Sequence, residues 1–517
     1  MSQTESRAMR AIISATIMLA TILQALDSTI AAVALPDMQG SFSATQEQVA
    51  WVLTSYIVAA AIMTPMAGYL GDRDGRKNLY LISVAGFVLT SMACGLATSI
   101  EEMVLFRFLQ GCFGAPLVPL AQATMLDIFP PSQTGGAMAM FGMGVMLGPI
   151  LGPSLGAYLT EYYNWRWVFF INVPLGAIAL FGIEATIKDP PHRDRERPFD
   201  LGGFALLGIA IGSMQLMLDR GNSKLWFQSM EIVIEGVVAL VCFYMFVVHV
   251  LTKDRPFIEP KMFKDRNFSG GMIFMFVAGI NMLATMALMP PFLQRLLGYP
   301  VLTTGYVLAP RGLGTMLSMF IVGRLVNRID ARLLLLAGLL ISAGSLWEMS
   351  LFNTDVSLAT LVWTGILQGV GMGFLFTPVS VLAFSTLPPQ YRTEGSGIFA
   401  LSRNLGSSIG VSVLTGMLAR YVQINRAWLV ENLTPFSDAM HNPAVANYMN
   451  PNTPGGLSLL DATVVREAMM LGYADDFRAM TLVTLIAIPM LLFLKGAPRP
   501  GTAAPRAVPP ATQHALE

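Results

Sequence analysis

Leu109-Gln110-Gly111 recurs as Leu367-Gln368-Gly369, 258 residues further along the chain. At that same offset Pro130-Pro131 matches Pro388-Pro389, Phe141 matches Phe399, Leu147-Gly148 matches Leu405-Gly406, and Gly152 matches Gly410. Close to it, Gly68-Tyr69-Leu70 followed by Arg73 returns as Gly323-Arg324-Leu325 followed by Arg328. Identities held at one spacing across two whole apolar–polar–apolar units mark a duplicated chain.

The duplicated units are apolar runs of membrane-crossing length. The chain has 517 residues, 54% hydrophobic and 12% charged, where a soluble domain carries about 25% charged residues. Roughly 20 apolar residues cross a bilayer. Hydropathy places spans at 11–35, 48–70, 79–98, 102–125, 137–158, 166–187, 201–218, 230–251, 267–290, 303–325, 333–352, 357–383, 396–421 and 474–494. The fold class expected is an all-α polytopic membrane protein with fourteen transmembrane helices: two pseudo-symmetric six-helix bundles plus two extra central spans. Residues 1–187 form the first bundle and 188–266 a connector carrying the two additional spans. Residues 267–495 form the second bundle, with a long outer loop at 422–473, and 496–517 a tail. Within that loop, Leu459–Leu471 reads as a short helix lying at the interface. Parallel repeats place a binding site near the midplane, at the interface between the halves.

Most of the 32 Lys and Arg fall on the side of the N-terminus if the spans are counted in order. The positive-inside rule then puts both termini in the cytoplasm. Arg7 and Arg10 before the first apolar run, with Ala32-Val33-Ala34 after it, resemble a signal peptide, but the run is long for a signal core, and it reads as an uncleaved first span. Zero net charge offers no nucleic-acid footprint. Cys94, Cys112 and Cys242 lie in apolar runs, and the four histidines are scattered without ligand spacing. No disulfide framework, metal site or cofactor is expected.

Within the first span stands Leu26-Asp27-Ser28-Thr29-Ile30. A carboxylate at that depth costs on the order of 3 kcal/mol and marks a functional site. Asp27 reads as a protonatable group facing an internal water path. Arg107, in the fourth span, needs a partner or water for the same reason. It keeps its charge, so it serves as a counter-ion able to tune or answer Asp27 rather than to carry the proton; snorkelling to the interface is its structural alternative. Gln24 and Gln110 are the candidate cavity-lining polar groups. Glu184 and Glu348 lie near span ends and read as interfacial; Arg311 and Arg403 fall inside spans without an assignable role.

Between the second and third spans runs Gly68-Tyr69-Leu70-Gly71-Asp72-Arg73-Asp74-Gly75-Arg76-Lys77. Glycines there allow a tight turn and close helix approach, and the mixed charges supply pairs that break when two bundles rock. Gly68, Asp72, Arg73, Gly75 and Arg76, with Arg328 of the degenerate second copy, are the candidate inner gate. In the fifth span Gly144, Gly148, Gly152 and Gly156 share one helix face, where a neighbouring backbone can approach; Pro149 and Pro153 between them bend the helix. Met138, Met140, Met143 and Met146 along that span suit either a pocket that repacks around varied apolar ligands or a lipid-facing surface.

These stretches resemble the successive signature motifs of the major facilitator superfamily: the Gly68–Lys77 loop, Arg107 with Gln110-Gly111, and Gly148-Pro149 followed by Gly152. The fifth-span motif resembles the antiporter motif of that superfamily, departing from it in carrying Gly152-Pro153 where paired glycines are usual. Leu26–Ile30 followed by Ala34-Leu35-Pro36, and Trp165-Arg166-Trp167-Val168-Phe169-Phe170-Ile171-Asn172-Val173-Pro174-Leu175-Gly176, resemble the fourteen-span drug:proton antiporters. Met217-Leu218-Asp219-Arg220-Gly221 with Trp226-Phe227, and Phe263–Phe268, are similar to the multidrug-exporting branch of that family.

The resemblance implies a proton-coupled antiporter that exports hydrophobic or amphipathic compounds across the inner membrane by alternating access. It also implies partnership with a periplasmic adaptor protein and an outer-membrane channel. Asp27 would take a proton from the outside-facing cavity and release Arg107 or a cationic substrate. An exporter of an endogenous metabolite, siderophore or lipid is the alternative on the same fold. An intramembrane enzyme would need paired aspartates or a His-rich metal site within the spans, and the spans carry neither.

Overall fold

Arg7–Val33 (α1) has 27 residues and rises about 40 Å at 1.5 Å per residue, more than the ~30 Å of a bilayer core. The computed structural model describes residues 7–187, 199–254, 256–433, 449 and 453–496. The face on which α1 starts is called the near face, and the opposite one the far face. After a short far-face helix, Leu35–Phe42 (α2), the chain returns in two pieces, Gln46–Met63 (α3) and Met66–Arg73 (α4). Thr45 and Gln48 form a reciprocal capping box that starts α3. Pro65 caps α4 and has no N–H to continue the ladder, which explains the break.

The first half continues through Arg76–Leu96 (α5), the pair Ile100–Gly114 (α6) and Leu117–Ile128 (α7), and Thr134–Tyr162 (α8). It ends with Trp167–Phe170 (α9) and Asn172–Thr186 (α10). The α6–α7 break falls at Ala115-Pro116 for the same reason as the break at Pro65. Leu201–Arg220 (α11) and Met230–Thr252 (α12) follow. The second half comprises Arg266–Pro291 (α13), Val301–Leu325 (α14), Ala331–Met349 (α15), Leu358–Ser385 (α16), Arg392–Asn432 (α17) and Pro454–Ala487 (α18).

Thirteen helical stretches among the described residues are long and apolar enough to cross a membrane. The broken α3–α4 pair makes the fourteenth crossing. Its far end opens on the polar Gln46-Glu47-Gln48, and Pro65 divides it.

The extra pair has two different members. α11 packs on α3, where a Cβ on Gly208 or Gly212 would meet Ile62 at 3.2 and 3.1 Å. At its far end the Thr54 hydroxyl bonds Asp219, and Asn222 donates to Thr415 Oγ1 of α17 at 2.7 Å. α11 therefore touches both halves. α12 stands outside, with Leu240, Tyr244 and Leu251 exposed. On the near face Asp200 caps α11 and anchors the return chain. It accepts from Gly203 N (2.9 Å), His249 Nε2 (2.9 Å), Lys253 Nζ (2.8 Å) and Phe257 N (3.0 Å).

The sequence reading of 422–473 as a loop with a separate interfacial helix is corrected. α17 is a single helix of 41 residues running through Asn432, and α18 is a single helix of 34 residues starting at Pro454. At 1.5 Å per residue α17 is about 60 Å long, roughly twice the bilayer core. Both helices therefore project beyond the far face, tied together by Arg426 and Asp461 at 2.7 Å. Hydropathy misses such an extension because it scores apolarity, and a helix leaving the membrane becomes polar without ceasing to be a helix. The segments 188–198 and 497–517, expected as a charged connector and a tail, lie outside the described residues.

Candidate functional site

Asp27 of α1 and Arg107 of α6 meet in the interior of the first half, both fully buried. Arg107 Nη1 donates to Asp27 Oδ2 at 2.7 Å. Gln110 Nε2 and Asn172 Nδ2 donate to Asp27 Oδ1 at 3.0 and 2.7 Å. The guanidinium is held by Val52 O at 3.1 Å from Nε and by Gln110 Oε1 at 2.8 Å from Nη1. It also lies 4.3 Å from the centroid of the Tyr56 ring and 5.7 Å from that of Phe169, a cation–π placement. Asn172 donates to Ser91 Oγ at 3.0 Å, and Ser91 in turn to Phe169 O at 2.9 Å. Six helices thus contribute: α1, α3, α5, α6, α9 and α10.

The repeat explains the register. Gln110 sits one turn after Arg107, and both project from the same face of α6 toward α1. Arg107 does not snorkel to the interface, because Val52 O and Asp27 hold it inward. Two sequence expectations are corrected. Asp27 does not face a water path; it is sealed inside the bundle. Gln110 does not line a cavity; it bridges the ion pair. Gln24 is half-buried; its Nε2 donates to the Tyr56 hydroxyl at 3.2 Å, and it is not in the lining of the cavity described below. Hydropathy locates these groups in depth but carries no information on which side of each helix turns inward.

A cavity of about 360 Å³ lies between the halves, toward the far face. Its walls are the end of α1 (Val33), α8 (Met146, Pro149, Ile150, Pro153, Ser154, Ala157) and parts of α13, α14 and α16. Four of its lining residues are Met146, Met282, Met286 and Met372; of the four methionines read along the fifth span, Met146 alone is among them. Met140, by contrast, is exposed.

α8 connects this cavity to the buried pair. Pro149 and Pro153 face the cavity, whereas Gly144, Gly148, Gly152 and Gly156 face α1. A Cβ on Gly148 would stand 2.2 Å from the carbonyl carbon of Ala25, and one on Gly152 would stand 2.1 Å from Thr29 Oγ1. The Thr29 hydroxyl donates across the seam to Gly148 O at 3.1 Å, an approach that a side chain at either glycine would block. Asp27 lies between Ala25 and Thr29. The seam predicted from four-residue spacing is therefore the contact that joins the carboxylate's helix to the cavity wall.

The near face is closed by a cluster across the two halves. Arg76 Nη1 pairs with Asp127 Oδ2 at 2.5 Å, and its Nη2 donates to Thr393 Oγ1 at 2.8 Å. Arg392 Nη1 pairs with Asp127 Oδ1 at 2.8 Å. Ser396 donates to Pro119 O at 2.9 Å. α4 and the start of α17 nearly touch, because a Cβ on Gly68 would fall 2.4 Å from Glu394 Cα. Gly75, at φ 92°, forms the turn that only glycine adopts without strain.

Of the expected gate residues, the structure brings Gly68 and Arg76 to the contact. Arg73 instead bonds its own helix, donating to the Tyr69 hydroxyl at 3.3 Å and pairing with Asp74 at 3.9 Å. Arg328 is exposed in the turn after α14. The Asp72 side chain lies outside the described residues. Asp127, Arg392, Thr393 and Glu394 were missed by sequence reasoning. A signal existed for Asp127 and Arg392, since each lies three residues from one copy of the repeated Pro-Pro.

Two homologous six-helix bundles, a cavity between them, a buried ion pair in one and a closed cross-bundle contact beneath define a secondary transporter of the alternating-access class. The chain belongs to the major facilitator superfamily, whose family model matches residues 17–411. It is similar to the Fatty acid resistance protein FarB of Neisseria gonorrhoeae, 33% identical over 92% of this chain and 94% of that one. It is also similar to the Multidrug export protein EmrB of Escherichia coli (strain K12), 36% identical over 81% of this chain and 82% of that one. Among solved structures, the proton:xylose symporter XylE matches with a TM-score of 0.61 at 13% identity, covering 94% of this chain and 97% of that one. The human organic anion transporter MFSD10 matches with a TM-score of 0.63 at 13% identity, covering 93% and 99%. Those two likenesses concern the fold alone.

Proposed function

We propose that this chain is a proton-coupled antiporter of the inner membrane that exports small hydrophobic or amphipathic compounds. The near face, with both termini, is cytoplasmic, as the Lys and Arg distribution favours. Supporting the substrate class are the methionine-rich cavity and the names of the relatives, which speak of multidrug export and fatty acid resistance.

The observation that carries the mechanism is the Asp27–Arg107 pair joined through α1 and the α8 seam to the cavity wall. Protonating Asp27 removes the charge that holds the guanidinium and loosens α1 against α8. The cavity wall then shifts, and the Arg76–Asp127–Arg392 cluster opens the cytoplasmic side. Exchange follows because the reset to the outward-facing state requires the proton to leave. Reconstituted vesicles test this: substrate addition drives proton flux with the native chain and none with Asp27→Asn. Undiminished flux in that variant overturns the assignment.

The projecting α17–α18 hairpin further supports a periplasmic adaptor, with an outer-membrane channel beyond it, as partners. Ile424, Trp428, Val430, Leu457 and Leu459 are exposed there, above the membrane on helices long enough to leave it. Replacing Trp428 and Ile424 by Glu abolishes co-purification of the adaptor while leaving vesicle transport intact; unchanged co-purification would place the adaptor elsewhere.

A further inference from the structure

Among the described residues that line the cavity, Arg311 is the single charged one, and no carboxylate accompanies it. Its Nη2 donates to Met282 O at 3.2 Å, and it makes no ion pair with any described acid. A guanidinium has five N–H donors, so most remain free toward the cavity. The surrounding walls are mostly apolar, with Met146, Ile150, Leu308 and Met372 among them, and their polar side chains, Ser154, Gln294, Thr304 and Thr315, are uncharged. A charge in such surroundings is stable only with a counter-ion or water. The contrast with Arg107 is direct, because that arginine has its own carboxylate at 2.7 Å.

The duplication shows how the two arginines came to differ. Asp27 corresponds to Thr285 and Gln110 to Gln368 at the repeat spacing. The hydrogen bond between them is retained: Gln368 Nε2 donates to Thr285 Oγ1 at 2.6 Å. The carboxylate is gone, and the position of Arg107 is taken by Gly365. A Cβ on Gly111 would meet Tyr56 O at 2.5 Å, and one on Gly369 would meet Arg311 O at 2.1 Å. Arg311 thus stands where the first half has Tyr56. The second half lacks the counterpart of that ion pair and carries a cation one helix over, on the cavity wall.

We propose that Arg311 is the anion anchor of the substrate site, and that the exported compounds are amphipathic anions, chiefly carboxylates, held head-first at the guanidinium with the apolar tail among the methionines. This deepens the export reading above and rests on it. An Arg–carboxylate pair can be bidentate, and a cavity of this size suits a drug-sized guest. Outward movement of an anion and inward movement of a proton both carry positive charge inward, so the exchange responds to membrane potential as well as to the pH gradient.

The test uses three probes of one chain length: dodecanoate, dodecanol and dodecyltrimethylammonium. Binding to the purified full chain and probe-driven proton flux in vesicles are measured for the native protein, Arg311→Gln and Arg311→Lys. Expected is preference for dodecanoate, loss of at least about tenfold in its affinity in Arg311→Gln, partial recovery in Arg311→Lys, and unchanged dodecanol binding. Imposing an inside-negative potential raises dodecanoate-driven flux. Dodecanoate affinity unaltered in Arg311→Gln, or native preference for the cationic probe, overturns the anchor while leaving export standing. Should Arg311→Gln fail to fold, the native preference among the three probes and the Arg311→Lys affinity decide. Absence of proton flux with every probe in the native chain would instead remove the export reading itself.

Discussion

Asp27 Oδ2 and Arg107 Nη1 lie 2.7 Å apart, on helices 80 residues apart in sequence, with neither side chain exposed. Breaking a buried pair by removing one partner costs about 3–5 kcal/mol, because the other charge is left uncompensated. Here Val52 O, Gln110 and Tyr56 still hold the guanidinium, so Asp27→Asn is expected at the low end of that range. The double variant Asp27→Asn with Arg107→Gln recovers stability but not transport. Thermal unfolding in detergent and vesicle flux together check this double-mutant pattern. Recovery of coupled flux in the double variant would remove Asp27 as the proton site.

The near-face cluster sets the balance between conformations. Asp127 bridges Arg76 and Arg392, both only partly exposed, and each pair is worth about 1 kcal/mol at most. Asp127→Asn therefore lowers the closed-to-open ratio at the near face by roughly tenfold. Accessibility of a cysteine placed at Gly397, beside Thr64 and Pro65, reports the opening from the near face. Equal accessibility in both proteins would show that the helix contacts, not the ion pairs, hold the face shut.

Two glycines on one stripe should behave differently. At Gly144 the atom in the way is Met18 Cε, the end of a flexible side chain; at Gly148 it is the backbone of Ala25. Gly144→Ala is tolerated by a rotamer change in Met18. Gly148→Ala forces α1 and α8 apart, costs about 1–3 kcal/mol and uncouples proton flux from substrate. Comparing flux ratios for the two variants tests the seam; equal effects would make it plain small-residue packing.

Asp200 gives a pH signature on the near face. Burial alone would raise its pKa, but hydrogen bonds from Lys253, Gly203, His249 and Phe257 outweigh that and hold it at about 2, against an ordinary 3.8. A depressed carboxyl contributes stability that is fully present above its unfolded pKa and is lost as pH falls toward the folded one. Thermal stability of the native chain is therefore expected to fall between about pH 4 and pH 2 through this group. Asp200→Asn starts lower at neutral pH and shows a smaller fall in that window. Parallel pH profiles for the two proteins would rule the anchor out.

Much of this was legible in the sequence. The 258-residue repeat and the apolar runs specify two bundles with an added pair, because a bilayer requires every backbone group to be satisfied within a helix. The cost of charge at membrane depth singled out Asp27 and Arg107, and four-residue spacing singled out the α8 glycine face. The same physics has a blind side. Depth is a one-dimensional quantity, read from apolarity along the chain, and it says nothing of helix rotation. Gln110 is at the right depth, yet it faces the ion pair and not a cavity.

The sequence by itself thus determined the number of membrane crossings, the duplication and the Asp27 and Arg107 charges at membrane depth. Only the tertiary structure decided that Asp27 is sealed against Arg107 rather than open to the cavity, and that the charge on the cavity wall is Arg311. It also decided that Asp127 and Arg392, not Arg73 and Arg328, bridge the near face, and that the far-face loop is a pair of projecting helices. The reason is common to all four. Each depends on which faces of helices distant in sequence meet, and that is fixed by side-chain packing among many helices at once, not by the pattern along any one of them.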